Sequence, residues 1–261
     1  MPVGLLETIG RKVINFLEFW GKWFLISLRA LILAFKRPFR FKHYIFHLAN
    51  VGADSLPVIA VTSFFTGGVI ALETYVAFHR FNAEYMIGGV VAISMARELA
   101  PVLSALLVTA RAGSAMAAEI GTMKVTEQID ALEMMAVNPV KYLITPRVYT
   151  TVVAVTLLTL ISDIVGYIGG YVVSVYLFDV NKTLYMRYTE TLAEMDDVYH
   201  GLIKAAVFGF LVATISCLYG YSTKGGAKGV GESTTKAVVT SSIAILVSDY
   251  LITYVMRLFD L

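Results

Sequence analysis

The sequence predicts an all-α polytopic integral membrane protein with five transmembrane helices. Its 261 residues are 57% hydrophobic and only 15% charged, which is too apolar for an ordinary soluble domain of this length. A transmembrane helix needs about 20 mostly apolar residues, and five stretches meet that requirement. We place the spans at 56–78, 86–110, 148–177, 200–220 and 236–259, within one transmembrane domain at 51–261.

The first 50 residues differ from the spans and predict helices on the membrane surface. Apolar residues from Leu5 to Trp23 are interleaved with charged residues from Glu7 to Lys22, which is typical of an amphipathic interfacial helix. The next apolar run, 23–35, carries Arg29 at its middle and is too short to cross a bilayer. We predict a re-entrant or surface-lying segment there.

The distribution of basic residues predicts how the spans are oriented. Fifteen Lys and Arg residues lie on one side of the five-span arrangement and four on the other. Because cytoplasmic loops are enriched in Lys and Arg, we expect the N-terminus and the loops 111–147 and 221–235 in the cytoplasm. The C-terminus is then external, as is an acidic segment at 178–199 with room for a short helix.

No basic run is dense enough for nucleic-acid binding.

The second span contains two adjacent charges and a proline. Arg97 and Glu98 lie inside an apolar run, and Pro101 removes the backbone hydrogen bond to the carbonyl of Arg97. Ionisable residues inside a membrane are by default candidates for function, and a broken helix is tolerated where it lines a cavity. We predict a functional site here. The alternative is a structural ion pair to a neighbouring helix.

Depth along the helices suggests what this site is. At about 1.5 Å rise per residue, Arg97 lies near mid-membrane and Lys204 in the outer half of its span. Our hypothesis is a cavity wetted from the external side, where Arg97, Glu98 and Lys204 meet the polar head of an amphipathic substrate. The alternative for Lys204 is that its side chain extends to the membrane interface.

Small residues cluster where helix backbones could approach each other closely, in patterns of the small-xxx-small type. We expect close contacts at these positions, with contacts inside one chain favoured over contacts between copies. The residues are Gly67, Gly68, Gly88, Gly89, Gly113, Ser114, Ala115, Ala117, Ala118, Gly166, Gly169 and Gly170.

The segment 122–147 has the pattern of a docking helix for a soluble partner. Thr126 can cap its N-terminus, and Asn138 with Pro139 ends it. The alternative is a helix that lies on the membrane or packs on the chain's own loops. The predicted apolar edge is Ile129, Leu132 and Met135, the charged edges carry Glu127, Asp130 and Glu133, and Met134 and Met135 offer adaptable contact area.

Several spaced motifs resemble the MlaE family of ABC-transporter permeases, which serve the Mla and Mce lipid-transport systems. The resemblance is strong through 86–150, extends over about 50–259, and is weak over 1–42 and 179–199. Asn138 departs from the Asp that often precedes the proline, and Asp163 is an added charge. The motifs are Glu98-Leu99 with Pro101, Arg111-Ala112-Gly113-Ser114, Ala118-Glu119-Ile120-Gly121, Thr126-Glu127-Gln128, Met134-Met135-Ala136-Val137-Asn138-Pro139 and Pro146-Arg147.

The resemblance implies a homodimeric permease in the inner membrane of a Gram-negative cell. Two copies of a cytosolic ATPase would bind ATP and Mg²⁺, and a periplasmic ring of MCE-domain proteins would cover the external face. The substrate would be a phospholipid moving between the inner and outer membranes, held in a pocket lined by Arg97, Glu98 and Lys204. The ATPase contact would be made by Glu127, Gln128, Ile129, Asp130, Leu132, Glu133, Met134 and Met135.

The chain lacks the motifs of a nucleotide-hydrolysing or metal-dependent enzyme. A Walker A loop needs Gly-Lys followed by Ser or Thr, whereas Gly21-Lys22 is followed by Trp23. The glycines of 220–231 match no phosphate-binding spacing, and we interpret them as a flexible connector. His43 and His47 have no nearby carboxylate or thiol to complete a metal site. We therefore expect a permease subunit without a catalytic or metal site of its own.

Two other classes of protein remain as alternatives. A proton-driven secondary transporter would use Glu73, Asp163 or Asp249 as carriers. The structural alternative for these three residues is that Glu73 extends to the interface and that Asp163 and Asp249 pair with other helices. An intramembrane lipid enzyme would need a nucleophile and a base, but the four histidines form no recognisable set with nearby acids.

Overall fold

The computed structural model describes residues 2–34 and 41–258, and its secondary structure there is helical. Short π-helical turns continue several helices, including Met95–Leu99 between α4 and α5 and Thr109–Gly113 between α5 and α6. The α-helices are α1 (Pro2–Ala34), α2 (Phe41–Leu48), α3 (Leu56–Phe78), α4 (Ile87–Ser94), α5 (Ala100–Val108), α6 (Ser114–Val125), α7 (Gln128–Met134), α8 (Thr145–Val172), α9 (Lys182–Leu192), α10 (Met195–Tyr221) and α11 (Gly226–Leu258).

Within residues 2–34 and 41–258, five helical stretches are long and apolar enough to cross a membrane, which confirms the predicted all-α, five-span architecture. The predicted span 56–78 coincides with α3, whereas the second span continues past 110 to Val125 and the other three begin before their predicted starts. The stretches are Tyr44–Phe81, Glu84–Val125, Val140–Leu177, Met195–Tyr221 and Gly226–Leu258. Residue 259, the last of the predicted fifth span, lies outside the described residues.

The segment 178–199 contains the expected short helix. The side chain of Asn181 begins α9 by accepting hydrogen bonds from the backbone N–H groups of Thr183 and Leu184, at 2.9 and 3.1 Å. The helix then packs on α4, where the absence of side chains at Gly88 and Gly89 leaves room for Tyr185 and Leu192. This end of the bundle is therefore closed partly by α9.

The N-terminal segment corrects one prediction. A re-entrant or surface-lying segment was expected at 23–35, but α1 continues without interruption to Ala34, which rules out a re-entrant turn there, whereas the surface-lying alternative stays a prediction. No Gly or Pro follows Trp23 within the helix to end it. Both halves also pack on the bundle, since Ala30 is buried and the Trp23 indole N–H donates to Thr214 Oγ1 at 2.9 Å. The last residue of the predicted segment, 35, lies outside the described residues.

The glycine-rich connector is also shorter than expected. Only 222–225 separate α10 from α11, and the rest of the predicted flexible loop is helical. Gly225 and Gly226 have φ of +88° and +67°, a conformation that residues with a Cβ rarely adopt. Gly229 lies so close to the carbonyl of Lys224 that a Cβ would collide with it. These glycines therefore form a tight turn and a helix start.

Small residues bring α3 and α8 into close contact, as predicted, within one chain. A Cβ on Gly67 would collide with the backbone carbonyl of Gly166, and one on Gly169 with the carbonyl of Phe64. The two helices also share a buried hydrogen bond of 2.6 Å between the hydroxyls of Ser63 and Ser162. Close backbone approach is how membrane helices gain packing energy without a hydrophobic driving force.

Substitution of Gly67 by alanine tests this packing. We expect a loss of about 1–3 kcal/mol of stability, because the methyl group forces α3 away from α8. The matched control is Gly231→Ala in α11, where nothing lies within 4 Å of the added methyl group. There alanine is expected to stabilise by up to about 1 kcal/mol, as in an exposed helix interior. Thermal unfolding in detergent measures both, and equal effects of the two substitutions would contradict the close-contact interpretation.

Candidate functional site

The second span changes its helical geometry around the predicted charges. A π-helical turn, Met95–Leu99, carries Arg97 and Glu98, and Pro101 lies in the first turn of α5. Because Pro101 has no N–H, the carbonyl of Arg97 has no partner four residues ahead. Lys204 Nζ from α10 donates to this carbonyl at 3.0 Å. The helix break predicted from Pro101 is thus joined to a second helix by a charged donor.

Lys204 is the centre of the charge cluster. Its side chain is 2% exposed, and its ammonium lies 2.5 Å from Glu98 Oε2. Asp249 Oδ1 of α11 lies 3.1 Å away, within ion-pair distance but not aligned for a hydrogen bond. The alternative in which Lys204 extends to the membrane interface is therefore wrong, because the side chain is buried and its ammonium is held by groups of two other helices. The pairing of Asp249 with another helix is confirmed.

Arg97 pairs with α10 and not with its neighbour Glu98. Its Nε donates to the carboxylate of Asp197, whose other oxygen accepts from the backbone N–H of Glu194 at 2.9 Å as part of a capping box. Asp197 is almost fully buried, but the Arg97 side chain is 45% exposed. Arg97 and Glu98 thus both make ion pairs to a neighbouring helix, which was the structural alternative to a functional site. Part of the Arg97 guanidinium nevertheless remains accessible.

The three predicted residues share one cavity. Arg97, Glu98 and Lys204 line a partly open space of about 480 Å³ between the second span, α10 and α11. Its remaining lining is His200, Thr253, Met256 and Arg257. The Thr253 hydroxyl donates to the Asp249 carbonyl at 2.8 Å and lies 3.5 Å from Glu98 Oε1.

Sequence reasoning missed His200, Thr253 and Arg257 as lining residues. A usable signal was their helical spacing, because His200 and Lys204 are four residues apart on α10, and Thr253 and Arg257 are four apart on α11. Each pair therefore presents polar groups on one helix face near the same end of the bundle. Asp197 was also missed as the partner of Arg97, since nothing in its own segment points to the second span.

Two further charges in the spans lie outside this cavity. Both carboxylate oxygens of Asp163 are buried and accept no hydrogen bond from the described residues. The expected pairing of Asp163 with another helix is therefore not found in the described part of the chain. Glu73 lies near the end of α3 with an exposed side chain.

At the opposite end of the bundle, α7 is only partly free. Ile129 is fully buried and Leu132 partly buried against the neighbouring helices. Asp130 pairs with Lys124 at 2.6 Å, and Glu133 accepts from the Tyr221 hydroxyl at 3.0 Å. One side of the predicted docking segment therefore packs on its own chain, which is the alternative left open above.

The free side of α7 is apolar at its C-terminal end. Met134 and Met135 are 89% and 66% exposed, so of the predicted apolar edge Ile129 and Leu132 pack on the chain, whereas Met135 remains exposed. The predicted cap is also wrong, because α7 begins after Glu127, and Thr126 Oγ1 donates back to the Thr122 carbonyl of α6. The helix ends at Met134, before Asn138, because Ala136 adopts a φ of 56°.

Two arginines of the sequence motifs, Arg111 and Arg147, connect neighbouring helices near α7. Arg147 is buried and donates to the Leu143 carbonyl at 3.0 Å and to Glu119 of α6 at 2.9 Å. Arg111 bonds to Ser55 Oγ at 2.9 Å and to the backbone carbonyl of Asn50. These contacts fix α6, from which α7 continues, against the first and third spans.

A helical membrane protein with five spans, a charged cavity at one end and a partly exposed amphipathic helix at the other has the architecture of a membrane permease. The family described as "Permease MlaE" matches residues 44–255, and the chain belongs to this family. It is 47% identical over 253 residues to a probable ABC transporter permease protein of Rickettsia conorii, covering 97% of this chain and 98% of that protein.

Two further relatives are similarly informative. The chain is 35% identical over 260 residues to the intermembrane phospholipid transport system permease protein MlaE of Haemophilus influenzae, covering 98% of both chains. It is 36% identical over 228 residues to the chloroplastic protein TRIGALACTOSYLDIACYLGLYCEROL 1 of Arabidopsis thaliana, covering 87% of this chain and 65% of that protein. The predicted family is thus confirmed.

Proposed function

We propose that this chain is the permease subunit of an ATP-driven ABC transporter that moves phospholipids between the inner and outer membranes. The observation that carries the proposal is the charged cavity around Lys204. Lys204 lies on the same helix as Tyr221, which contacts α7. The two residues are about 25 Å apart along this helix at 1.5 Å per residue. Substrate contact and energy input would then occupy opposite ends of the bundle, and the name of the Haemophilus relative supports phospholipid as the substrate.

The cavity assigns different roles to its cations. Lys204 is already occupied by Glu98, Asp249 and the Arg97 carbonyl, so it holds the pocket together. Arg97 retains exposed N–H groups, and Arg257 has no carboxylate within ion-pair distance among the described residues. A phospholipid phosphate would meet these two guanidinium groups, since arginine is suited to binding phosphate by paired hydrogen bonds.

Energy would come from a partner. Two chains would form a homodimer in the inner membrane, with N-termini in the cytoplasm and C-termini in the periplasm. Each would bind a cytosolic ATPase through the exposed side of α7, beside Glu127 and Gln128, and the ATPase would hold ATP and Mg²⁺. A periplasmic ring of MCE-domain proteins would receive the lipid from the cavity end.

Lipid that co-purifies with the chain tests the cavity. We expect Arg97→Gln and Arg257→Gln each to lower bound phospholipid about tenfold, because each removes a charged hydrogen-bond donor worth about 1.5–3 kcal/mol. Lys182→Gln, an exposed charge on α9 outside the cavity, is the matched control and should change nothing. Mass spectrometry of lipid extracted from the purified protein measures all three. Unchanged lipid in both arginine variants would contradict a lipid-binding role.

The energy source is tested in the same preparation. The chain is purified from membranes with its neighbours under mild detergent and reconstituted in vesicles, and lipid transfer is followed with ATP or with a proton gradient. The proposal predicts transfer that requires ATP and is lost on substitution of Glu127 and Gln128. Transfer that follows the proton gradient without nucleotide would favour the secondary transporter instead, with the unpartnered Asp163 as the first candidate carrier.

A further inference from the structure

A groove with basic residues lies at the end of the bundle that carries α7. We call it the basic groove. It is a partly open groove of about 600 Å³ between α1, the end of α10 and the start of the third span. Lys22, Arg29 and Lys224 provide its charge, and Leu25, Val140 and Leu218 are among its apolar lining residues. An adjoining groove of about 570 Å³ shares Arg29 and Val140.

The cations of the basic groove are available to a ligand. Within the described residues, neither Arg29 nor Lys224 has a carboxylate within ion-pair distance, and both side chains are exposed. Lys22 pairs with Glu18 at the surface, at 2.6 Å, and with no other carboxylate in the part of the chain that the structure describes. Glu133, in the adjoining groove, already accepts the Tyr221 hydroxyl. The groove therefore presents more positive than negative charge.

The surroundings of the groove indicate an amphipathic ligand. Leu25, Leu28 and Ile32 of α1 are 53%, 42% and 52% exposed, so the apolar surface continues from the groove along the helix. Trp20 and Trp23 lie on the same helix, and aromatic residues of this kind are enriched at membrane interfaces. An apolar surface with a basic rim at the interface matches the acyl chains and head group of an anionic lipid.

We propose that the basic groove binds an anionic phospholipid of the adjacent leaflet, at a site separate from the cavity around Lys204. The site rests on the proposed function for its cytoplasmic orientation and for the ATPase contact of α7. Because α7 lies beside the groove, a bound lipid would stabilise α1 against the segment that contacts the ATPase. The lipid would act as a structural or regulatory ligand and would not be transported from this position.

The two tryptophans provide a local test. Trp20 and Trp23 are the only tryptophans in the chain, so a brominated lipid bound beside α1 quenches the fluorescence of this region alone. The purified chain is placed in phosphatidylcholine bilayers that contain equal fractions of brominated phosphatidylglycerol or brominated phosphatidylcholine. We expect stronger quenching by the anionic lipid, and a preference that falls about fivefold for each of Arg29→Gln and Lys224→Gln.

Lys228→Gln is the matched control, because Lys228 is exposed four residues from Lys224 but does not line the groove. Equal quenching by both lipids, or an equal loss in the control, would overturn the proposal. Loss of the preference when the ATPase is added would assign the groove to that protein and would also overturn it. Quenching needs neither ATP nor transfer, so a variant with normal lipid preference and no transport would count only against the proposed function.

Discussion

Replacement of Lys204 by methionine is expected to destabilise the folded chain by about 3 kcal/mol. The methionine side chain fills the space but leaves Glu98, Asp249 and the Arg97 carbonyl without their shared cation. Removing one partner of an ion pair in the interior costs more than the pair contributes, and here the cost falls mainly on Asp249, whose side chain is only 22% exposed, because Glu98 is 42% exposed and partly solvated. A lower unfolding temperature in detergent and a lower yield from membranes are the measured effects.

The same cluster allows a rescue experiment. In a triple variant with Lys204→Met, Glu98→Gln and Asp249→Asn, no charge is left uncompensated, so we expect most of the stability to return. Lys228→Met at an exposed position controls for the loss of a lysine as such. A Lys204→Met variant as stable as the parent would show that the cluster does not hold the helices together. The rescued variant keeps Arg97 and Arg257, so it should be stable and bind phospholipid much as the parent does, which would separate the stabilising role of Lys204 from lipid binding.

Replacement of Met134 and Met135 together by aspartate is expected to abolish stable association with the ATPase. Both side chains are mostly exposed on α7, and each apolar contact at the centre of an interface is worth about 2 kcal/mol. Affinity should therefore fall about a hundredfold or more. The fold should be unaffected, because the buried contacts of α7 are made by Ile129 and Leu132.

Met195→Asp is the matched control for this experiment. Met195 is 76% exposed but begins α10, at the end of the bundle away from α7. Co-purification of the ATPase and its stimulated activity are measured for both variants, and thermal unfolding confirms that both remain folded. An ATPase that binds the double variant normally would show that α7 is not the docking helix, and the membrane-surface interpretation would then be preferred.

The spans could be predicted from the sequence because lipid imposes one dominant rule, a minimum apolar length. That rule locates α3 correctly and finds all five stretches, but it says little about where a helix ends in water. The region around Gly225 shows the difficulty. Glycine normally weakens a helix, so the glycines of 220–231 predict a connector, whereas a positive φ at two of them and the close packing of Gly229 set the helix start.

The candidate site was predictable in part for a similar reason. Arg97, Glu98 and Pro101 lie within five consecutive residues of an apolar run, so the sequence alone indicates an unusual helical turn. Depth along the helices then predicts that Lys204 lies near them. The partners Asp197 and Asp249 could not be assigned, because their pairing depends on how α10 and α11 pack against the second span. Long-range contacts of this kind leave no local pattern in one sequence.

The π-helical turns of the second span have a consequence for register. Each such turn contains one residue more than an α-helical turn, so everything after it is rotated by about 100° relative to an uninterrupted helix. With turns at Met95–Leu99 and Thr109–Gly113, the faces of α4, α5 and α6 do not form one continuous stripe. Adding or removing a single residue at either turn would redirect every side chain on one side of it. The second span thus consists of three helical segments in different rotational registers, so its charged turn and its α7 end can each be aligned to their own neighbours.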